Sequence, residues 1–323
     1  MNLVRLIVLA AAVFVVQATA SAATWDFATA YPEQDFRTRN AKTFADAVKG
    51  ASDGGLSMVV FADGALVPEA QIGAALRSNR IPIGLLDLAK TDARPLLGFS
   101  SLPFLAATYV DSLRLWNAAR PVMQSHFANQ GLLVLYALPS LPAALFSVRP
   151  AERDSDLEGA PMVVDDEWLG RLAVRVGARP VEFDGNSLAS IFADRRAAML
   201  TAPDAAESAR VWGFVQHAYD VQASFPLCVV VVNQQAFQAL DEASQRALLN
   251  AAVRAQNDAW AASIDQRNGA VAALGASGLV VQPPSPALMD GLRRAGNAIV
   301  RDWRQEAGAD AAVILSNFGW TGE

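Results

Sequence analysis

The feature that most constrains the fold is the alternation of short apolar runs and amphipathic stretches between Trp25 and Leu86. Trp25-Asp26-Phe27-Ala28-Thr29-Ala30 alternates and is rich in β-formers, as a first strand requires. Tyr31-Pro32 turns the chain, and Phe36 to Val48 sets Phe36, Phe44 and Val48 at helical spacing. After the turn Asp53-Gly54-Gly55, the run Leu56 to Phe61 reads as a second strand, followed by the loop Ala62-Asp63-Gly64. Pro68 to Ser78 predicts a helix, and Ile81 to Leu86 a third strand. Strands separated by helices do not pair as hairpins, so this β-α-β-α-β order predicts a parallel sheet with helices packed on its faces.

A similar alternation recurs from Leu157 to Pro203. Leu157-Glu158-Gly159 leads into the apolar run Ala160 to Val164 and the acidic Asp165-Asp166-Glu167. A helix-like segment, Val176 to Pro180, Asn186 to Phe192, Asp194-Arg195-Arg196 and Ala202-Pro203 follow. Strand, helix, strand, helix, strand fits this order, and loops at the strand ends of such a unit face a ligand. The segment is therefore expected to form one wall of a binding cleft.

Between the two units, Tyr109 to Asn129 predicts a helix and Gly131 to Tyr136 a strand. Pro139 and Pro142 then break the pattern, as at a crossing between domains. Asp204 to Tyr219 predicts a helix carrying Val211, Trp212 and Val215, and Cys228 to Asn233 a buried strand. From Asp241 to about Leu274 a helical pattern runs without proline. It would reach ~45 Å at 1.5 Å per residue, enough to serve as a spine between two domains. Gly278 to Val281 is a short strand, and Pro286 to Ala307 the final helix. With 323 residues, two lobes are expected: residues 24–140 with 229–267, and 141–228 with 268–323.

Arg5, the apolar run Leu6 to Val16 and the small residues Ala18-Thr19-Ala20-Ser21-Ala22 predict a secretory signal over residues 1–23. The run is shorter than the ~20 residues of a membrane span. A formal net charge of −6 argues against nucleic acid, whose phosphates call for clustered Lys and Arg. His126, His217 and the single Cys228 have no metal-ligand spacing, and Cys228 reads as a buried, inert thiol. No Gly-x-Ser-x-Gly elbow or phosphate-binding glycine loop occurs, so neither metal nor cofactor is expected. The acids Asp165-Asp166-Glu167 could serve acid–base chemistry, but acids at a helix start are more simply complements of its dipole. An exported, two-lobed α/β chain without a catalytic set is most simply a solute-binding protein that closes by a hinge.

Several ordered segments resemble the solute-binding proteins of tripartite ATP-independent periplasmic (TRAP) transporters of the DctP type. Val59-Val60-Phe61-Ala62-Asp63-Gly64-Ala65-Leu66 resembles the family's strand ending in Phe-Pro and its polar loop. Leu102-Pro103-Phe104-Leu105 matches its Leu-Pro-Phe-Leu, and Leu157-Glu158-Gly159 sits where it has Leu-Lys-Gly. Gly177-Ala178-Arg179-Pro180 resembles its Gly-Ala-x-Pro, and Val232-Asn233 with Phe237 and Asp241-Glu242 its strand-Asn segment before a long helix.

The resemblance implies a two-lobed periplasmic-binding-protein-like α/β fold, each lobe a mostly parallel sheet with flanking helices. It implies a monomeric periplasmic protein that captures a small organic solute for a membrane permease. It also implies a departure at the ligand. The family's hallmark arginine, which forks onto a substrate carboxylate, lies four residues after the Leu-Lys-Gly glycine, and Val163 stands there. A second family arginine falls at Pro142, and Asp-Gly-Gln-Glu-Asn-Pro is reduced to Ala198-Met199-Leu200-Thr201-Ala202-Pro203. Three readings stay open. The solute is apolar, neutral or cationic and faces Asp165 or Asp166; another arginine (Arg149, Arg175, Arg179, Arg195 or Arg196) supplies the clamp; or the protein is a sensor or partner protein. From another class, a secreted enzyme would use Asp165 or Asp166 as base. Candidate cleft residues are Tyr31, Glu33, Asp63, Asp87 and Phe104 in the first lobe, Leu138 and Ser140 at the crossing, and Val163, Asp165, Thr201 and Phe225 in the second.

Overall fold

The computed structural model describes residues 22–91, 95–182 and 188–322, so the expected signal segment up to residue 21 and the start of the Asn186 segment lie outside the described residues. Eleven described strands form two sheets. They are β1 (Ala23–Ala28), β2 (Leu56–Phe61), β3 (Ile83–Asp87), β4 (Leu132–Pro139), β5 (Ala144–Ser147), β6 (Pro161–Val164), β7 (Arg179–Glu182), β8 (Ala198–Thr201), β9 (His217–Tyr219), β10 (Leu227–Asn233) and β11 (Val281–Gln282). One sheet has the order β2-β1-β3-β10-β4 and the other β11-β9-β5-β8-β6-β7.

Both sheets keep the expected parallel block, β2-β1-β3 in the first and β8-β6-β7 in the second. The remainder is more mixed than the sequence suggests. β10 runs antiparallel to β3 and β4, and β5 runs antiparallel to β8 and β9. The reason is connectivity. The chain passes from β4 to β5 and returns from β9 to β10 without a crossover helix, so the strands at the crossings enter against the parallel direction. The two crossings are joined to each other: Ser140 N–H donates to Pro226 O at 2.8 Å, and Ala223 N–H donates to Ala143 O at 2.9 Å.

The long helix Glu242–Ala276 starts at Asp241, whose carboxylate accepts the Ser244 N–H at 2.8 Å. Its small residues Ala251, Ala252, Ala255 and Ala259 pack with Leu248 on the first sheet's core, with Phe44, Tyr136 and Val230. Further along, Leu274 joins Phe146 and Met199 in the second sheet's core. One continuous helix thus contributes to both cores, as a spine does. The C-terminal helix Pro286–Phe318 is interrupted at Gly308 (φ 69°, ψ −139°), one residue past the expected end at Ala307, and then continues. It packs on helix Tyr109–Ala128 and on helix Glu167–Arg175, which flank different sheets.

The expected helix from Asp204 to Tyr219 is corrected. The chain is helical only over Pro203–Ser208, reaches a left-handed Arg210 (φ 51°), makes a short turn at Val211–Gly213 and becomes β9. The left-handed residue breaks the helical hydrogen-bond ladder. Pairing with β5 and β11 then satisfies the backbone of His217 to Tyr219. Val211 and Val215 still reach the core, from a loop rather than from a helix face.

Candidate functional site

A cavity of about 510 Å³ lies between the sheets and is lined from both, a size that suits a small organic ligand. Tyr31, Arg37, Asp87 and Lys90 come from the first sheet's loops and helices, and Asp165, Asp166, Glu167 and Asp204 from the second sheet's. Ser140, Leu141, Ala143, Ser224 and Pro226 of the crossings close its floor. The acidic loop leaves the end of β6, and Asp204 lies just beyond the end of β8. Both are the strand-end positions where α/β sheets hold ligands.

Arg37 follows from local structure. Asp35 accepts the backbone N–H of Arg37 at 2.8 Å, starting helix Phe36–Ala51. The same carboxylate takes the guanidinium fork, with Nε at 2.8 Å and Nη2 at 2.7 Å. Nη1 donates to Ser140 Oγ at 3.0 Å, and the guanidinium lies 3.6 Å above the Tyr31 ring. Tyr31 Oη donates to Asp87 Oδ2 at 3.2 Å and lies 3.2 Å from Cys228 Sγ. Burial, then Cys228 and Asp87, raises the Tyr31 phenol well above its ordinary pKa, and burial pushes the Cys228 thiol up to about 12. Both therefore stay neutral hydrogen-bonding groups, and Cys228 is buried as expected.

On the opposite wall, Asp165 Oδ2 accepts the Thr201 hydroxyl at 2.6 Å. Asp166 caps helix Glu167–Arg175 by accepting the Leu169 N–H at 2.7 Å. Asp204 accepts the Ala205 N–H at 2.9 Å. Burial raises the pKa of all three, and for Asp166, with the charge of Asp165 added, to about 7. Asp165 is exposed in the cleft, and its hydrogen bond from Thr201 and the charge of Lys90 oppose the rise.

Raised in the folded state, the Asp166 carboxyl favours folding most below its unfolded pKa, and that contribution disappears as pH rises toward 7. Asp166→Asn keeps a capping oxygen and cannot ionise. Its unfolding free energy, from urea titration, should match the parent near pH 4 and exceed it near pH 8, by on the order of 1–2 kcal/mol after screening by cleft water. A difference that does not change with pH would show that Asp166 is not held protonated.

Of the residues singled out from sequence, the cavity brings together Tyr31, Asp87, Ser140 and Asp165. Thr201 is buried behind Asp165 as its hydrogen-bond donor. Glu33 is exposed and paired with Lys42, and Asp63 is an exposed loop residue with φ 54° whose N–H donates to Tyr31 O. Phe104 packs by Gly296 on the C-terminal helix. Leu138, Val163 and Phe225 are buried in the cores, Phe225 edge-on to the Tyr109 ring at 5.1 Å. Val163, where the resemblance led to an expected ligand contact, is fully covered and does not line the cavity. Nor do Arg149, Arg175, Arg179, Arg195 or Arg196; Arg175 pairs with Asp302, and Arg179 and Arg196 lie by Asp194. The cleft arginine is Arg37, which sequence reasoning missed. Its one signal was Asp35, a capping residue directly before a helix start at a strand-end loop.

A family profile described as bacterial extracellular solute-binding protein, family 7 (DctP) matches residues 27–306, and the chain belongs to this family. The Bordetella pertussis extracytoplasmic solute receptor DctP6, which binds pyroglutamic acid, is 28% identical, with 92% of this chain and 99% of that chain covered and a TM-score of 0.82. A marine-metagenome TRAP solute-binding protein specific for pyroglutamate is 26% identical over 93% of this chain and 99% of that chain, with a TM-score of 0.80. A Desulfovibrio desulfuricans TRAP protein with bound sn-glycerol-3-phosphate, 21% identical, shares the fold at a TM-score of 0.80 over 92% and 96% of the two chains. No curated protein sequence matches the chain significantly. The two-lobed fold and the solute-binding class expected from sequence are thereby established, and the family speaks for solute capture over the carboxylate enzyme. Among the described residues no helix is long and apolar enough to cross a membrane.

Proposed function

We propose that this protein is the periplasmic receptor of a TRAP-type transporter, working as a monomer that captures a small organic solute and presents it to the membrane permease subunits. The observation that carries this reading is the cavity itself. It lies at strand ends of both sheets, its floor is made by the two hydrogen-bonded crossings, and it belongs to a chain of the solute-binding family. Residues 24–140 with 229–267 and residues 141–228 with 268–323 would move against each other about these crossings. Closure would bring Asp165, Asp166 and Asp204 toward Tyr31, Arg37 and Asp87 around the solute. No chemical step, cofactor or nucleic acid enters this cycle.

The solved relatives named above bind small acids, and the size of the present cavity suits molecules of that order. A ligand at 100 times its dissociation constant should add about 2.7 kcal/mol to the unfolding free energy. A library of acids, amines, polyols and aromatic solutes should therefore contain at least one that visibly raises the thermal midpoint. A flat response across the whole library would remove the receptor reading.

A further inference from the structure

The charges of the cleft deepen the receptor reading, on which this inference rests. Asp165, Asp166 and Asp204 line the cavity, and none has a cation at ion-pair distance among the described residues. Their partners are a hydroxyl and two backbone N–H groups. The two cations of the cavity are in the opposite condition. Arg37 holds the Asp35 carboxylate in a two-bond fork, and Lys90 lies 3.5 Å from Glu69 and 3.9 Å from Asp87. Glu167, on the rim, is taken by Arg171 at 2.6 Å. A solute carboxylate would have to displace Asp35 from Arg37, and would then face three unpaired carboxylates in a partly dewatered cleft. A cationic nitrogen has no ion pair of these three carboxylates to break, although Lys90 and Arg37 act on Asp165 and Asp204 from across the cavity.

A second observation is independent of these charges. Ser224, 1% exposed, lines the same cavity, and its Oγ has no hydrogen-bond partner among the described residues. Buried hydroxyls are nearly always satisfied, so an unsatisfied one in a residue of the cavity wall is available to a polar atom of the occupant if the hydroxyl turns toward it.

We propose that the cleft takes a solute carrying a cationic nitrogen, a primary amine, amidinium or quaternary ammonium, set against Asp165, Asp166 and Asp204, with the Ser224 hydroxyl as a further hydrogen-bond partner. Among the described residues no group of three or more His, Cys, Asp or Glu side chains is arranged to hold a metal ion, which favours an organic cation over a bare one. The cation requires the three carboxyls ionised. Asp87 and Lys90 at the end of β3, Arg37 with Asp35, and Glu167 are the other charges on this side, and Arg171, Arg175, Glu182 and Asp302 line the adjoining hollow that Asp165 and Asp166 also border. Burial holds the protons on, so binding of a cation should tighten as pH rises from about 5 to about 8.

Calorimetric titration of the purified protein tests this with choline, putrescine, agmatine and ethanolamine on one side and pyroglutamate, glucuronate and orotate on the other. The expected result is binding by at least one cation, at least about tenfold tighter at the higher pH and at least about tenfold weaker in Asp165→Asn. Should that variant fold poorly, Asp204→Asn, on a different loop, serves in its place. Binding by the acids with the cations silent overturns the charge assignment and leaves the receptor reading standing. Undiminished cation binding in both variants overturns it as well. No binding by any member of these sets or of the broader solute library removes the receptor reading, and this inference with it.

Discussion

Arg37→Leu is expected to lower the unfolding free energy by about 3–5 kcal/mol, because it strands a buried carboxylate. The Arg37 and Asp35 side chains are only 12% and 15% exposed, so water cannot replace the lost partner at Asp35. Three further contacts disappear with the guanidinium: the bond to Ser140, the cover over the Tyr31 ring and the packing near Phe36. Urea unfolding at neutral pH measures the loss. The double variant Asp35→Asn with Arg37→Leu should recover part of it, since an amide caps the helix without leaving a charge. A loss below about 1 kcal/mol in the single variant would mean that the pair is screened like a surface salt bridge. The functional consequence sits in the same bond. By tying the start of helix Phe36–Ala51 to Ser140, Arg37 fixes one crossing to the first lobe, so solute affinity should fall along with stability.

Trp303→Ala is the second large effect, with an expected cost of about 3–5 kcal/mol. Trp303 is fully buried on the C-terminal helix, and its indole N–H donates to Pro95 O at 2.6 Å. It packs in the core that also holds Trp116, Phe99, Trp168 and Leu172, side chains from both flanks of the cleft. Truncation leaves a cavity and an unpaired carbonyl where the last helix holds these elements together. Trp303→Phe separates the two terms, because it keeps most of the volume and loses the hydrogen bond, for about 1–2 kcal/mol. If the two variants cost the same, packing contributes little at this site. If neither moves the urea midpoint, the C-terminal helix does not anchor the core.

The elements that carry their own periodicity were legible. The run Leu56 to Phe61 is a strand at the expected bounds, and the helix from Asp241 onward runs as one piece. β5 and β9 were not. Ala144–Ser147 and His217–Tyr219 are too short to show a period, and they are strands because neighbouring strands satisfy their backbones. The site divides in the same way. Asp165 and Ser140 could be placed in the cleft because one follows an apolar run and the other lies between two prolines. Arg37, Lys90 and Asp204 sit at helix starts and in short helices, where a charged side chain has the same sequence pattern whether it faces solvent or a ligand. Ser224 carried no signal, since only the packing around it removes its partners.

By itself the sequence determined the alternation of strands and helices, two sheet-forming units and a spine between them. These follow from local spacing, which any stretch of chain carries within itself. The tertiary structure alone decided that β10 and β5 run against their neighbours and that the cleft's cations are already matched by their own lobe. It alone places three carboxylates on the cavity wall with no cation at ion-pair distance among the described residues, beside a buried hydroxyl with no hydrogen-bond partner among them. Those properties depend on residues far apart in the chain coming within a few ångströms, and charge pairing, desolvation and hydrogen-bond satisfaction are set at that distance.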